Sequence, residues 1–223
     1  MKVIITGSTG MVGKGVLLEC LEDDKISEVL LINRTPIGIS HPKIKEVIHK
    51  DFTNFLPLRD RLSGYDACFH CMGVSSAGMS HEQYYKLTYI VTESLANLLY
   101  ELNHDMTFIY VSGEGTDGSE KGKSNWARVK GKTENLILNK GFKDAYAFRP
   151  GVILPEKGVV SKTRLYRIIY QLMYPFFPIL KKLKSVTTSS KIGKAMIILV
   201  EKPYDAKIIR GQDINLLVSK YNF

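Results

Sequence analysis

The feature that most constrains this chain is its opening, Met1-Lys-Val-Ile-Ile-Thr-Gly-Ser-Thr-Gly-Met-Val-Gly-Lys-Gly15. Val3, Ile4 and Ile5 form a short apolar run of the kind buried on both faces of a parallel sheet. Gly7, Gly10 and Gly13 follow at three-residue spacing, and an amphipathic run from Met11 to Leu21 reads as a helix. Strand, glycine-rich turn and helix together predict a dinucleotide pyrophosphate site. Gly7 permits the tight turn, Gly10 lets backbone approach the phosphates, and Gly13 lets the helix lie close to the strand. Thr9, Met11 and Val12 complete the predicted cradle, with the free N–H groups and positive dipole end of the helix facing the anion. The bland alternative is a turn with packing glycines.

Strand and helix patterns alternate along most of the chain, which predicts an α/β doubly wound parallel sheet. Its 223 residues suit one domain with a small C-terminal lobe over about 155–200. An apolar content of 44% and a charged content of 24% suit an ordinary globular core. Lys and Arg exceed Asp and Glu by nine, 31 against 22. The excess is spread along the chain, as on a solvated surface, rather than gathered as a nucleic-acid stripe. Three cysteines argue against a disulfide framework. Cys68 and Cys71 form a C-x-x-C, but they lie on a strand pattern, where residues three apart face opposite sides. With no secretory leader pattern ahead of the first strand, the expected location is the cytoplasm.

Val29–Asn33 reads as the second strand and ends in Asn33-Arg34-Thr35. An acidic residue at this point would accept from the adenosine ribose. Arg34 stands there instead, and a guanidinium would pair with a 2′-phosphate, so NADP is expected over NAD. A surface arginine in a turn is the alternative. Pro36, Gly38 and Pro42 make residues 35–43 a loop, so the usual crossover helix is missing. Lys45–His49 reads as strand three and Tyr65–Cys71 as strand four, the latter running into Met72 and Gly73 beside the expected phosphates. A long helix is expected over His81–Leu102.

Thr107–Val111 reads as strand five and delivers Ser112 to its carboxyl end, where open parallel sheets bind ligands. The glycine-bearing segment 113–124 reads as a loop able to gate a cleft. Asn125 opens a helix that carries Trp126, Lys130 and Lys132. Ala145–Arg149 reads as strand six, with Pro150 and Gly151 turning the chain on the ligand side. Residues 165–183 are apolar and aromatic, but Arg167, Pro175 and Pro178 interrupt them, so a small lobe is expected there and no membrane span. A helix over 185–200 and a last strand near Asp213–Val218 complete the expectation.

These motifs resemble the short-chain dehydrogenase/reductase superfamily. The glycine spacing is that of its extended and atypical members, and Trp126-Ala-Arg-Val-Lys130-Gly-x-x-Glu134 is similar to their Tyr-x-x-x-Lys-Gly-x-x-Glu segment. Arg149-Pro150-Gly151 matches their Arg-Pro-Gly. The similarity runs to Gly151 and is most like the branch of Tat-interacting-protein-type reductases and epimerase/dehydratase-like relatives.

The resemblance implies that Ser112 hydrogen-bonds the substrate oxygen and Lys130 holds the nicotinamide ribose. It also implies that Asp51 meets the adenine amino group and the N–H of Phe52 the adenine ring, a solvated Asp51 being the alternative. The departure is Trp126, which stands where the family's proton-transferring Tyr would be. An indole N–H does not release its proton in the useful range. An NADP-dependent oxidoreductase of unknown small-molecule substrate and a non-catalytic dinucleotide sensor with a protein partner are therefore both open. A nucleotide-sugar epimerase or dehydratase fits the short stretch after Gly151 less well.

Overall fold

The computed structural model describes residues 1–159, 177–180 and 183–221. Seven strands form one sheet in the order β3-β2-β1-β4-β5-β6-β9. They are β1 (Lys2–Thr6), β2 (Glu28–Asn33), β3 (Ile44–Ile48), β4 (Ala67–His70), β5 (Thr107–Val111), β6 (Asp144–Arg149) and β9 (Ile208–Arg210). Every neighbouring pair is parallel. The chain steps from β1 outward to β2 and β3, then returns to lay β4 on the other side of β1. Strand order therefore reverses at β1 and β4, the point outside whose carboxyl ends open parallel sheets bind ligands.

The sheet is buried on both faces because helices cover both. On one side Val3, Ile5, Val29, Leu31 and Phe69 pack with Val16, Leu17 and Cys20 of α1 (Met11–Glu22). The same core takes Ile192 and Met196 of α6 (Ser189–Glu201) and Ile214 and Leu217 of α7 (Gly211–Lys220). On the other side Ile4, Leu30, Cys68 and Phe108 meet Val91, Leu95 and Leu99 of α3 (Val91–Leu102) and Ile137 of α4 (Asn125–Leu138). Successive strand side chains alternate between these two cores, which is why β1 reads as an unbroken apolar run. Leu17 and Leu95 are fully buried; truncating either to Ala costs about 2–5 kcal/mol.

Glycines let α1 and α6 cross closely. A Cβ on Gly15 would lie 2.6 Å from Cβ of Ser189, and one on Gly193 would lie 2.8 Å from Cγ of Glu19. Lys43 Nζ caps the end of α1, donating to the carbonyls of Leu21 (2.9 Å) and Asp23 (2.7 Å). The link from β2 to β3 carries no helix, as the Pro and Gly of residues 35–43 predict.

The long helix expected over His81–Leu102 is present in three parts. Ser80 Oγ caps α2 (His81–Tyr85) by accepting from Gln83 N at 3.2 Å. A π turn over Lys86–Ile90 follows, and α3 continues from it. The extra residue of a π turn shifts the buried stripe, so Thr88 is buried and Leu87 only half so.

The end of the chain differs from the sequence reading. The stretch expected as a strand, Asp213–Val218, lies within α7, and the last strand is the shorter β9 just before it. Ile214, Leu217 and Val218 are buried while Leu216 is exposed, which is helical spacing, and Asp213 Oδ2 accepts from Arg210 N at 2.8 Å to start the helix. A two-stranded parallel sheet of β7 (Val152–Leu154) and β8 (Val186–Thr188) was not anticipated either. Thr188 Oγ1 then caps α6 by accepting from Lys191 N at 3.1 Å. One short helix, α5 (Phe177–Leu180), places Phe177 against Leu154 and Val186. The apolar stretch read as a lobe falls mostly outside the described residues. Among those described, no helix is long and apolar enough to cross a membrane.

Candidate functional site

Because all seven strands are parallel, the residues after them emerge on one edge. Gly7 follows β1, Arg34 follows β2, Asp51 follows β3, Met72 and Gly73 follow β4, Ser112 follows β5, and Pro150 and Gly151 follow β6. The sheet thus gathers on one rim nearly every residue singled out from the sequence.

The glycine turn is shaped as the spacing predicts. Gly7 has φ +74°, and a Cβ there would lie 2.7 Å from the carbonyl oxygen of Cys71 and the nitrogen of Met72. The turn is therefore wedged against the β4 exit. A Cβ on Gly13 would overlap the Gly7 carbonyl, so this glycine brings α1 onto the turn. Gly10 is different. It is the N-cap of α1 and bears no side-chain cap, and a Cβ there would meet only the Gly7 oxygen, at 3.3 Å. The first turn of α1, starting at Met11 and Val12, carries no acidic residue. Space around Gly10, the N-terminal N–H groups of the helix and a first turn without a carboxylate fit a phosphate. Thr9 lies in the same turn, between Ser8 and Gly10.

Beneath the turn, Ser8 Oγ donates to Asn33 Oδ1 at 2.8 Å. Asn33 Nδ2 donates to Glu46 Oε1 at 2.7 Å, and the N–H of Ile37 donates to the same oxygen at 3.0 Å. Arg34 is exposed directly after Asn33. Past the end of the next strand, Asp51 is exposed, and its Oδ1 accepts from Thr53 N (3.0 Å) and Thr53 Oγ1 (2.6 Å). These bonds to Thr53 hold the Asp51 carboxyl below its usual range. Phe52 is buried edge-on against Phe55. Met72 is half-buried, and Gly73 has open space around the position of a Cβ.

At the end of β4, His70 is fully enclosed. Its Nδ1 lies 2.7 Å from Thr6 Oγ1 and its Nε2 3.0 Å from Thr92 Oγ1. Thr92 gives its proton to the Thr88 carbonyl at 2.7 Å, so it accepts from Nε2–H, and Nδ1 accepts from Thr6. Burial pushes the imidazole down to about 3, and the ring is neutral. Cys68 and Cys71 pack into opposite cores, and burial raises both thiols, Cys71 to about 12. No thiolate chemistry follows from that pair.

Ser112 is 4% exposed. Its hydroxyl donates to Glu134 Oε1, with the Phe148 carbonyl 3.1 Å away. Glu134 is also paired with Arg149, and Lys130 Nζ donates to the Ser112 carbonyl. Burial lowers the Lys130 pKa, and the nearby Glu134 charge opposes that shift. Trp126 stands one turn before Lys130 on α4, with Cη2 3.2 Å from where a Cβ of Gly115 would be. Pro150 is buried, and its carbonyl accepts from Glu114 N at 3.1 Å; Gly151 is exposed.

The loop over residues 113–124 is folded down on α4. Asp117 N donates to the Ala127 carbonyl at 3.1 Å, Asp117 Oδ2 accepts from Gly122 N at 2.7 Å, and Asn135 Nδ2 donates to the Gly118 carbonyl at 3.0 Å. Two phenols of the long helix, Tyr84 and Tyr85, are engaged elsewhere. Tyr84 is 3% exposed and its pKa is raised by burial. Tyr85 stacks on Tyr89 with centroids 5.0 Å apart beneath Lys132. Lys132 is two residues beyond Lys130 and so on a different face of α4.

Sequence reading missed Asn33, Glu46, His70 and the gripping role of Glu134. Only Glu134 had a local signal, one helical turn after Lys130. Among the described residues no group of His, Cys, Asp and Glu could hold a metal ion.

The comparisons with known proteins agree with this architecture. The protein named "Protein FMP52, mitochondrial" of Debaryomyces hansenii is 28% identical over 159 residues, 70% of this chain and 69% of that one. Its namesake in Meyerozyma guilliermondii is 23% identical over 230 residues, 100% of this chain and 97% of that one. The UDP-glucuronic acid 4-epimerase of Bacillus cereus, solved with NAD, superposes with a TM-score of 0.68 at 14% identity, covering 94% of this chain and 77% of that one. At that identity the likeness is one of fold. The names of the fungal relatives overturn the cytoplasmic location expected from the sequence. Cysteine count and hydropathy carry no information about a mitochondrial destination. The model of the NAD dependent epimerase/dehydratase family matches residues 3–131, more than half of the chain. With its Rossmann sheet and glycine turn, this chain belongs to the NAD dependent epimerase/dehydratase family, on the atypical side of the short-chain dehydrogenase/reductase superfamily.

Proposed function

We propose that this chain binds a nicotinamide dinucleotide along the carboxyl edge of β1, β2 and β4, with a preference for NADP over NAD, and acts as an oxidoreductase on a small carbonyl compound. The observation that carries the reading is the open N-cap at Gly10, beside the Gly7 turn that is itself wedged against the β4 exit. Its free N–H groups and positive end suit the pyrophosphate. Exposed Arg34 supplies a guanidinium for a 2′-phosphate, and no acidic residue directly follows β2. Asp51 and Phe52 flank the adenine end, Met72 and Gly73 the central phosphates, and Pro150 and Gly151 the ligand side beyond β6.

The nicotinamide supplies or accepts the hydride. Lys130 holds the ribose, and Ser112 lines the substrate side. A second reading, a non-catalytic dinucleotide sensor, draws support from the family resemblance, which aligns Trp126 with the proton-transferring Tyr, and from the hydrogen bond that the Ser112 hydroxyl gives to Glu134. By the names of its relatives, the chain works in mitochondria.

Titration calorimetry with NADPH and NADH tests the cofactor reading. Tighter NADPH binding that falls to the NADH level in Arg34→Ala supports it. Equal affinities, unchanged by Arg34→Ala, would remove the NADP preference. Binding of neither cofactor would overturn the dinucleotide reading itself.

A further inference from the structure

A carboxylate does stand at the mouth of β2, but it comes from the neighbouring strand. Glu46 lies on β3 opposite Leu31 of β2, so its side chain is on the same face of the sheet as Asn33. Its Oε1 accepts from Asn33 Nδ2 at 2.7 Å and from Ile37 N at 3.0 Å. Asn33 is 3% exposed, and its Oδ1 is occupied by the Ser8 hydroxyl. Flipping the amide would set its oxygen against the Glu46 carboxylate, so Glu46 fixes which way Asn33 faces. One oxygen thereby ties together the glycine turn, through Ser8 and Asn33, and the start of the loop that carries Arg34.

We propose that Glu46 is a specificity-determining residue for the dinucleotide. Its hydrogen bonds hold Asn33 and Ile37, the two ends of the short segment bearing Arg34. Its negative charge sits beside the place where a 2′-phosphate would approach Arg34. The two effects oppose each other. The clamp presents Arg34 to the phosphate, and the charge subtracts from the attraction, so the native preference for NADP is modest. The inference rests on the dinucleotide reading given above.

The two effects separate by substitution. Glu46→Gln keeps an oxygen able to accept from both N–H groups and removes the charge. A phosphate carries a charge of about −1.5 to −2. Removing one negative charge several ångströms from it, through water, strengthens binding about fivefold. Calorimetric titration of Glu46→Gln should therefore show NADPH binding about fivefold tighter and NADH binding unchanged within about twofold. The gain should shrink at high salt. Glu46→Ala removes clamp and charge together, and should weaken NADPH and NADH alike by releasing Asn33 and the loop. An NADPH-to-NADH ratio unchanged in Glu46→Gln would overturn the proposal while leaving the cofactor reading intact. If the unmodified protein binds neither nucleotide, both fall. Should Glu46→Ala fail to fold, the Glu46→Gln ratio still decides.

Discussion

Arg149 and Glu134 meet side-on: Arg149 Nε lies 3.0 and 3.2 Å from the two carboxylate oxygens of Glu134, and Nη2 lies 2.5 Å from Oε2. The carboxylate is 1% exposed and the guanidinium side chain 14%. The pair bolts α4 to the end of β6. Through the Ser112 hydroxyl it also reaches the end of β5. The position of Lys130, four residues before Glu134 on the same helix face, is fixed by the same bolt.

Removing one side of that pair should be costly. Glu134→Ala leaves a buried guanidinium without its partner and the Ser112 hydroxyl with only the Phe148 carbonyl, and breaking such a pair costs about 3–5 kcal/mol. Glu134→Gln retains an acceptor and should cost less. Urea midpoints for the two variants check this, and a loss below about 1 kcal/mol for Glu134→Ala would show that water or a neighbour replaces the carboxylate.

Gly10 and Gly13 should separate binding from folding. A methyl group on Gly13 overlaps the Gly7 carbonyl, so Gly13→Ala forces backbone to move and should destabilise by about 1–3 kcal/mol. Gly10 has space around it apart from the Gly7 oxygen. Gly10→Val should keep a near-native melting temperature and lose cofactor affinity. Retained affinity in Gly10→Val would mean that the turn serves packing alone.

His70 makes the fold sensitive to mild acid. Its folded value of about 3 lies below the ordinary histidine value of 6.5, so the unfolded chain takes up the proton first. The stability it confers is complete above about pH 6.5 and is lost as the pH falls toward 3, by up to about 1.4 kcal/mol per pH unit. Denaturant unfolding between pH 7 and pH 4 should show this slope. His70→Gln, which can still bridge Thr6 and Thr92, should flatten it. An equal slope in both proteins would assign the acid sensitivity to other groups.

What could be read from the sequence was what short stretches of chain determine. Val3–Ile5 and Val29–Ile32 are unbroken apolar runs because both sheet faces are covered, and the turn at Gly7 depends on φ at one residue. The misread end of the chain has the same origin. Ile214, Leu217 and Val218 span too short a window to tell helical from strand spacing, and the capping bond from Arg210 to Asp213 was the deciding term. The polar partners were not legible because the sheet, not the local sequence, brings them together. Ser112 and Glu134 are 22 residues apart, Asn33 and Glu46 13, and Thr6 and His70 64. Asn33 looked like the mere absence of an acid, yet the next strand supplies one.

Trp126 offers the most direct test of whether chemistry survives. It is the only tryptophan in the chain, and its ring packs on Gly115 just past the end of β5, one turn before Lys130 on the same side of α4. The N–H of an indole there cannot transfer the proton that carbonyl reduction requires. Tyr84 is buried, and Tyr85 is stacked on Tyr89, so neither stands ready to replace it. Turnover of generic small aldehydes and ketones with NADPH should therefore be very slow. Trp126→Tyr should raise it by about 10²–10⁴-fold if a phenol positioned by Lys130 is all that is missing. Adding NADPH to the native protein should quench the Trp126 fluorescence. Robust native turnover that disappears in Lys130→Ala would exclude the sensor reading. Nucleotide binding without quenching would place Trp126 away from the nicotinamide and redirect the search for the proton donor.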